Sequence, residues 1–125
     1  MGGRVRRVVV VEDDADIRDL VVQLLSELGF DSVGYPDGRA ALAALRAAAT
    51  LPSVILLDLE MPVMSGEEFR REQLADPALA GIPVVIASGS DPSEIEADAY
   101  LAKPYETSRL CEVVARLSLR AAAAA

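Results

Sequence analysis

A chain of 125 residues has room for one domain with one sizeable core, and no more. Its formal charge of -8, with no histidine, sets the surface against phosphate backbones and anionic headgroups, so no direct nucleic-acid contact is expected. No stretch approaches the roughly 18 apolar residues of a membrane span, and Arg4, Arg6 and Arg7 are not followed by an apolar region long enough for a signal peptide. The single cysteine, Cys111, has no internal partner for a disulfide, which points to a reducing, cytoplasmic setting without membrane insertion.

Hydrophobic residues make up 52% of the chain and aromatic ones 4%, so the core must be built from Val, Leu, Ile and Ala. Met1-Gly2-Gly3 reads as loose. Val8 to Val11 is a β-branched run, a central strand that ends in three acids, Glu12-Asp13-Asp14. Asp14 is placed to cap the helix that follows, where Ile17, Leu20, Val21, Leu24, Leu25 and Leu28 recur as one apolar stripe closed by Gly29. Asp31 to Tyr35 is a short strand, Pro36-Asp37-Gly38 a turn, and Arg39 to Ala49 an alanine-rich helix. Pro52 ends that connection. Val54-Ile55-Leu56-Leu57 then reads as a strand buried on both faces, stopping at Asp58; Pro62 and Gly66 prevent its continuation. Gly66 to Leu74 is a third helix, packed through Phe69. Val84 to Ala87 is a fourth strand ending at Ser88, and Tyr100-Leu101-Ala102 a short fifth ending at Lys103-Pro104. Leu110, Val113, Val114 and Leu117 line a last helix. Strands alternating with helices predict a parallel sheet covered on both faces. The domain spans residues 4 to 120, and the alanines at 121 to 125 form a frayed or disordered tail.

The carboxyl ends of the strands carry the polar residues. The first strand delivers Glu12 and Asp13, the third Asp58, the fourth Ser88 and the fifth Lys103. Any one of these has an ordinary explanation as a cap or a solvated charge; five at one edge of a sheet, where open α/β folds bind ligands, do not. Two carboxylates about 4 Å apart repel by roughly 4 kcal/mol at an effective dielectric near 20. Three acids with one lysine are under-neutralised, so a divalent cation is expected, and hard oxygen ligands point to magnesium. Asp58 would then serve as a carboxylate nucleophile toward a phosphoryl group, with Lys103 balancing charge on the transferring oxygens and the Ser88 hydroxyl donating to one of them.

These residues resemble the receiver domain of two-component response regulators. The resemblance rests on Val-Val-Glu-Asp-Asp at 10 to 14, Leu-Leu-Asp-Leu-Glu-Met-Pro-Val-Met-Ser-Gly at 56 to 66, Ala-Ser-Gly at 87 to 89 and Tyr-Leu-Ala-Lys-Pro at 100 to 104. It implies a flavodoxin-like doubly wound five-stranded parallel sheet of order 2-1-3-4-5. It implies Asp58 as phosphoacceptor, Asp13 and Asp58 as direct magnesium ligands with the Glu60 backbone carbonyl, and Glu12 acting on the metal through a water. It further implies Ser88 as the switch hydroxyl, Lys103 as the phosphate-pairing lysine, Tyr100 as an aromatic switch whose ring moves inward, and a cis Lys103-Pro104 bond. The phosphodonor would be a sensor histidine kinase or histidine phosphotransfer protein, and the output phosphorylation-dependent binding to a protein target that the sequence does not name.

Two features depart from the resemblance. The stretch from Ser88 to Lys103 is short, so the fourth helix of the family is expected to be shortened or missing; Asp91 to Asp98, with Asp91 as cap, Pro92 at the first helical position and Glu94 three residues on, leaves room for about two turns at most. No output domain follows the last helix, which leaves open a stand-alone receiver or a receiver cut from a longer protein. Two other functions compete. A degenerate receiver would act as an unphosphorylated scaffold. An aspartyl-nucleophile phosphatase would be a turnover enzyme, but it needs an aspartate two residues after the nucleophile, where this chain has Glu60, followed by Met61-Pro62. No enzyme activity beyond the domain's own phosphorylation and dephosphorylation is therefore expected.

Overall fold

The computed structural model describes residues 6–89 and 95–124. Its elements run β1 (Arg7–Val11), α1 (Ala15–Glu27), β2 (Asp31–Tyr35), α2 (Gly38–Ala47), β3 (Val54–Asp58), α3 (Gly66–Ala75), β4 (Val84–Ser88), β5 (Ala99–Ala102) and α4 (Thr107–Ala124), the last running on into the alanine tail. The five strands form one parallel sheet in the order β2-β1-β3-β4-β5, as expected for the flavodoxin-like arrangement. Register brings the strand ends level: Val11 pairs with Leu57, Asp58 with Ala87, and Ser88 with Ala102.

Alternation along the strands splits the core into two layers. Val8, Val10, Val54, Leu56, Val85, Ala99 and Leu101 pack with Val21 and Leu25 of α1 and with Leu110, Val113, Val114 and Leu117 of α4. Val9, Val11, Ile55, Leu57, Val84 and Ile86 face the other way, onto Ala41, Leu42 and Leu45 of α2 and Phe69 of α3. β3, in the middle, is buried at every position. That double burial is why parallel strands read as unbroken apolar runs.

Local sequence sets the helix ends. Asp14 accepts from the Asp16 and Ile17 amides at 3.0 and 3.1 Å, capping α1. At the other end Gly29 takes φ +94°, and the Phe30 and Gly29 amides return to the Leu25 and Ser26 carbonyls at 3.0 and 3.1 Å, a Schellman closure sealed by buried Phe30 against Leu25. Ser65 and Glu68 form a reciprocal capping box at the start of α3, which holds the Glu68 carboxyl below its usual range through its bond from the Ser65 amide. Gly66 is required there: a Cβ would lie 2.6 Å from the Asp58 carbonyl oxygen and 2.7 Å from Leu59 Cα. α3 can begin this close to the end of β3 only because that position has no side chain.

Two outcomes differ from the simple pattern. The apolar stripe of α1 is only partly covered: Val21 and Leu25 are buried, but Leu20 is 56% exposed and Ile17 and Leu28 are also out. Ile17, Leu20 and Leu24 instead line an open apolar groove with Pro104, Tyr105 and Leu110, next to Lys103. In the β4–β5 connection the described residues 95–98 are not helical, in keeping with a shortened or missing fourth helix; the expected cap at Asp91 to Glu94 lies outside the described residues. Ile95 and Ala97 pack on the α2/α3 layer in its place.

Candidate functional site

The carboxyl ends of β1, β3, β4 and β5 meet at one edge of the sheet. The Glu12 amide donates to the Tyr35 carbonyl at 3.1 Å, adding a rung to the β1–β2 pairing, and this delivers Glu12 and Asp13 beside the end of β3. Glu12 and Asp58 are each 6% exposed, whereas Asp13 is open to solvent. Carboxylate oxygens of Glu12, Asp13 and Asp58 all lie within 4.8 Å of one another. At that separation two unit charges repel by roughly 3.5 kcal/mol at an effective dielectric near 20.

One cation offsets this crowding. Lys103 Nζ donates to Glu12 Oε1 at 3.0 Å and sits 3.2 Å from Asp58 Oδ1. It is positioned from the backbone: its own amide donates to the Ser88 carbonyl at 2.9 Å, and the Lys103-Pro104 bond is cis, as the resemblance implies. Burial pushes the Glu12 carboxyl above its usual range; the bond from Lys103 opposes this and the neighbouring Asp58 charge adds to it. Burial alone would lower Lys103, but the Glu12 and Asp58 carboxylates outweigh it and hold the ammonium above its ordinary value. Burial likewise raises the Tyr105 phenol beside it.

Asp58 Oδ1 also accepts from the Glu60 amide at 3.3 Å, and the Ser88 hydroxyl donates to Glu60 Oε1 at 3.3 Å. Six of the seven residues singled out from the sequence, Glu12, Asp13, Asp58, Glu60, Ser88 and Lys103, are thus linked in one cluster. Tyr100 is not part of it. The residue is 39% exposed, and its hydroxyl donates to the Ile95 carbonyl and accepts from the Ala97 amide at 3.1 Å. Sequence reasoning missed Arg18, whose Nη1 donates to the Glu12 carbonyl at 2.9 Å. A lone arginine on the polar side of an amphipathic helix looks like a solvated charge, and only the interior glycine of β2, Gly34, hints that something crosses there.

Fold and site together define a doubly wound α/β domain with a lysine-bridged carboxylate cluster at the carboxyl edge of its sheet. The chain belongs to the response regulator receiver domain family, whose model matches residues 8–115. It is 34% identical over 122 residues to the DNA-binding response regulator MtrA of Mycobacterium tuberculosis, covering 92% of this chain and 50% of that protein. It is also 34% identical over 119 residues to the phosphate regulon transcriptional regulatory protein PhoB of Escherichia coli, covering 90% and 50%. The chain therefore spans about half the length of the curated relatives it matches. Among solved structures, the Vibrio cholerae chemotaxis protein CheY4 superposes with a TM-score of 0.81 at 28% identity, covering 90% of this chain and 98% of that one. The phosphorylated cyanobacterial phytochrome response regulator RcpA does so at 0.75 and 29%, covering 97% and 96%.

Proposed function

We propose that this domain is a phosphorylation-controlled binding module whose phosphoacceptor is Asp58. The observation that carries the reading is Lys103 bridging Glu12 and Asp58 with Asp13 alongside. A buried carboxylate so placed is oriented and backed by a cation that can follow charge onto a phosphoryl group. The structural relative RcpA is described as phosphorylated, which supports the same chemistry here. The phosphodonor is a sensor histidine kinase or a histidine phosphotransfer protein.

The donor set is entirely oxygen and carries two more negative charges than the lysine neutralises, which fits magnesium. Asp13, Asp58 and the Glu60 carbonyl would hold it directly, with Glu12 acting at one remove. Bound there, magnesium supplies positive charge opposite the phosphoryl oxygens. In the transfer itself an Asp58 oxygen forms the new bond to phosphorus as the phosphorus–nitrogen bond of the donor phosphohistidine breaks, and the freed imidazole takes up a proton. Lys103 then pairs with a phosphoryl oxygen, and the Ser88 hydroxyl exchanges its Glu60 acceptor for another. Ser88 and Tyr100 lie on the same face of adjacent strands, and inward rotation of the Tyr100 ring would give up its bonds to Ile95 and Ala97. The phosphoryl group thereby favours one of two surface states.

The site modifies its own carboxylate and is not a turnover centre. MtrA is named as DNA-binding, but the charge of -8 on this chain sets the domain itself against a phosphate backbone, so its output passes through protein contact. A small-molecule phosphodonor with magnesium should label the protein once, with the mass shift mapping to Asp58, and Asp58→Ala should abolish the label. A label retained in that variant refutes the assignment. A wild-type protein that neither binds millimolar magnesium nor takes the label is a scaffold.

A further inference from the structure

The peptide between Glu12 and Asp13 is held from the side by a residue outside the carboxylate cluster. Arg18, half-buried on α1, sends its guanidinium back to the Glu12 carbonyl, Nη1 to O at 2.9 Å. Its aliphatic stem crosses β2 directly over Gly34. A Cβ on that glycine would lie 2.7 Å from Arg18 Cγ and 2.9 Å from Cδ, closer than real Cβ contacts come. Glycine in the interior of a strand is otherwise unfavourable, and a close approach by another group is one of the reasons it is found there. Gly34 pairs with Val10, two residues before Glu12, so the gap lies beside the strand end that it serves.

We propose that Arg18 is a positioning residue for the metal-binding carboxylates, and that Gly34 is the opening that lets it reach them. The inference rests on the phosphoacceptor reading of the site. Glu12 and Asp13 flank the same peptide, so the orientation of that carbonyl sets the direction of both side chains. Without a metal ion, mutual repulsion among the three acids, only partly offset by Lys103, pushes the β1–α1 turn away from Asp58. The bond from Arg18 opposes that movement. It is charge-assisted, and a guanidinium keeps its charge at any working pH. The carboxylates therefore stay converged before the metal arrives, and less of the binding free energy goes into gathering them.

The test is magnesium affinity, measured by calorimetry on the folded domain, for wild type, Arg18→Ala, Arg18→Lys, Gly34→Ala and the Arg18→Ala/Gly34→Ala pair. Arg18→Ala should weaken magnesium binding about tenfold, the usual scale for loss of an outer partner. Arg18→Lys should fall between. Gly34→Ala keeps the arginine but blocks its stem, so it should weaken binding to a similar degree, yet add nothing in the Arg18→Ala background. In the metal-free protein the Asp13 amide nitrogen, bonded to the Glu12 carbonyl carbon, should shift in Arg18→Ala and in Gly34→Ala. Affinity within about twofold of wild type in Arg18→Ala, or an equal Gly34→Ala effect with and without Arg18, overturns the proposal. Should Arg18→Ala not fold, Arg18→Lys and Gly34→Ala carry the same comparison through affinity and the Asp13 shift. If wild type binds magnesium and is labelled while these variants match it, only the positioning role falls. If wild type binds no magnesium, the phosphoacceptor reading fails and this proposal falls with it.

Discussion

At the scale of single residues, the site is held together against its own preferences. Glu12 is buried beside Asp58, and the folded chain keeps the Glu12 proton to higher pH than the ordinary 4.5 at which an unfolded chain releases it. Above that value the unfolded state carries fewer protons at this position than the folded state. Stability therefore falls as pH rises through the window between the ordinary and the raised value. Lys103 acts at the other end of the scale: its stabilising charge is complete at neutral pH and is lost only as pH rises through its elevated value, beyond the ordinary 10.5. Metal-free Glu12→Gln should accordingly melt at a higher temperature than wild type at pH 7, with the gap narrowing as pH falls through the carboxylate range. Melting curves across pH check this, and a gap that stays constant would refute it. The same variant should bind magnesium more weakly, since the charge that strains the empty site attracts the cation. Val63 carries a second local cost. Its φ is 68°, the residue is 67% exposed, and the Met64 amide closes a three-residue turn onto the Pro62 carbonyl at 2.7 Å. The turn returns buried Met64 to the α2/α3 layer. A β-branched residue in this conformation costs about 1–2 kcal/mol, whereas asparagine tolerates it. Val63→Asn should gain about 1 kcal/mol, or roughly 4 °C in Tm; a lower Tm would count against strain at this turn.

At the scale of elements, what could be read from the sequence follows what each element touches. The strands were legible because burial on both faces demands unbroken apolar runs, and Val8 to Val11, Val54 to Leu57 and Val84 to Ala87 supply them. Asp14 and Gly29 marked both ends of α1 because capping chemistry is local. The cluster of Glu12, Asp13, Asp58, Ser88 and Lys103 was legible because every member ends or follows a strand, and parallel strands share one carboxyl edge. α3 was legible through Gly66 and Phe69, but its buried polar bonding was not. Arg70 and Gln73 sit in the run Gly-Glu-Glu-Phe-Arg-Arg-Glu-Gln and look like a solvated face, yet both are buried. Arg70 Nε donates to the Glu96 carbonyl at 2.8 Å and its Nη1 to Gln73 Oε1 at 2.7 Å. Gln73 passes the bonding on to the Leu79 and Ile82 carbonyls at 2.9 and 3.1 Å. The partners are backbone groups of irregular segments, which no side-chain periodicity encodes. With no helix in the described part of the β4–β5 connection, Arg70 does the fastening: it pins residue 96 to α3, while the Tyr100 hydroxyl pins residues 95 and 97 to β5. Arg70→Met keeps the apolar stem but removes the charged donor, so it should cost about 2 kcal/mol. It should also speed amide exchange at Ala97 and Asp98 while leaving β1 and α1 unchanged. Uniform acceleration over the whole chain would mean that Arg70 supports the core at large and not this connection.

At the scale of the whole molecule, a chain of net charge -8 concentrates three of its acids at one lip of the sheet, on the ends of two adjacent central strands. A dication taken up there joins the ends of β1 and β3, which are far apart in sequence and close only in the fold. It therefore binds the native state and not the unfolded chain, and stabilises by RT ln(1 + [Mg]/Kd), about 1.4 kcal/mol at a tenfold excess over Kd. Any salt also stabilises so acidic a protein by screening its self-repulsion, so the comparison must hold ionic strength fixed. At matched ionic strength, magnesium chloride should raise Tm above sodium chloride by roughly 5 °C at that excess. Asp13 is exposed and contributes to the cluster without supporting the core. Asp13→Asn should thus leave the sodium curve nearly unchanged and remove most of the magnesium increment. An increment that survives Asp13→Asn would place the stabilising cation elsewhere on the acidic surface. No increment in wild type would mean that the three carboxylates converge without gathering a metal, and that Lys103 alone offsets their charge.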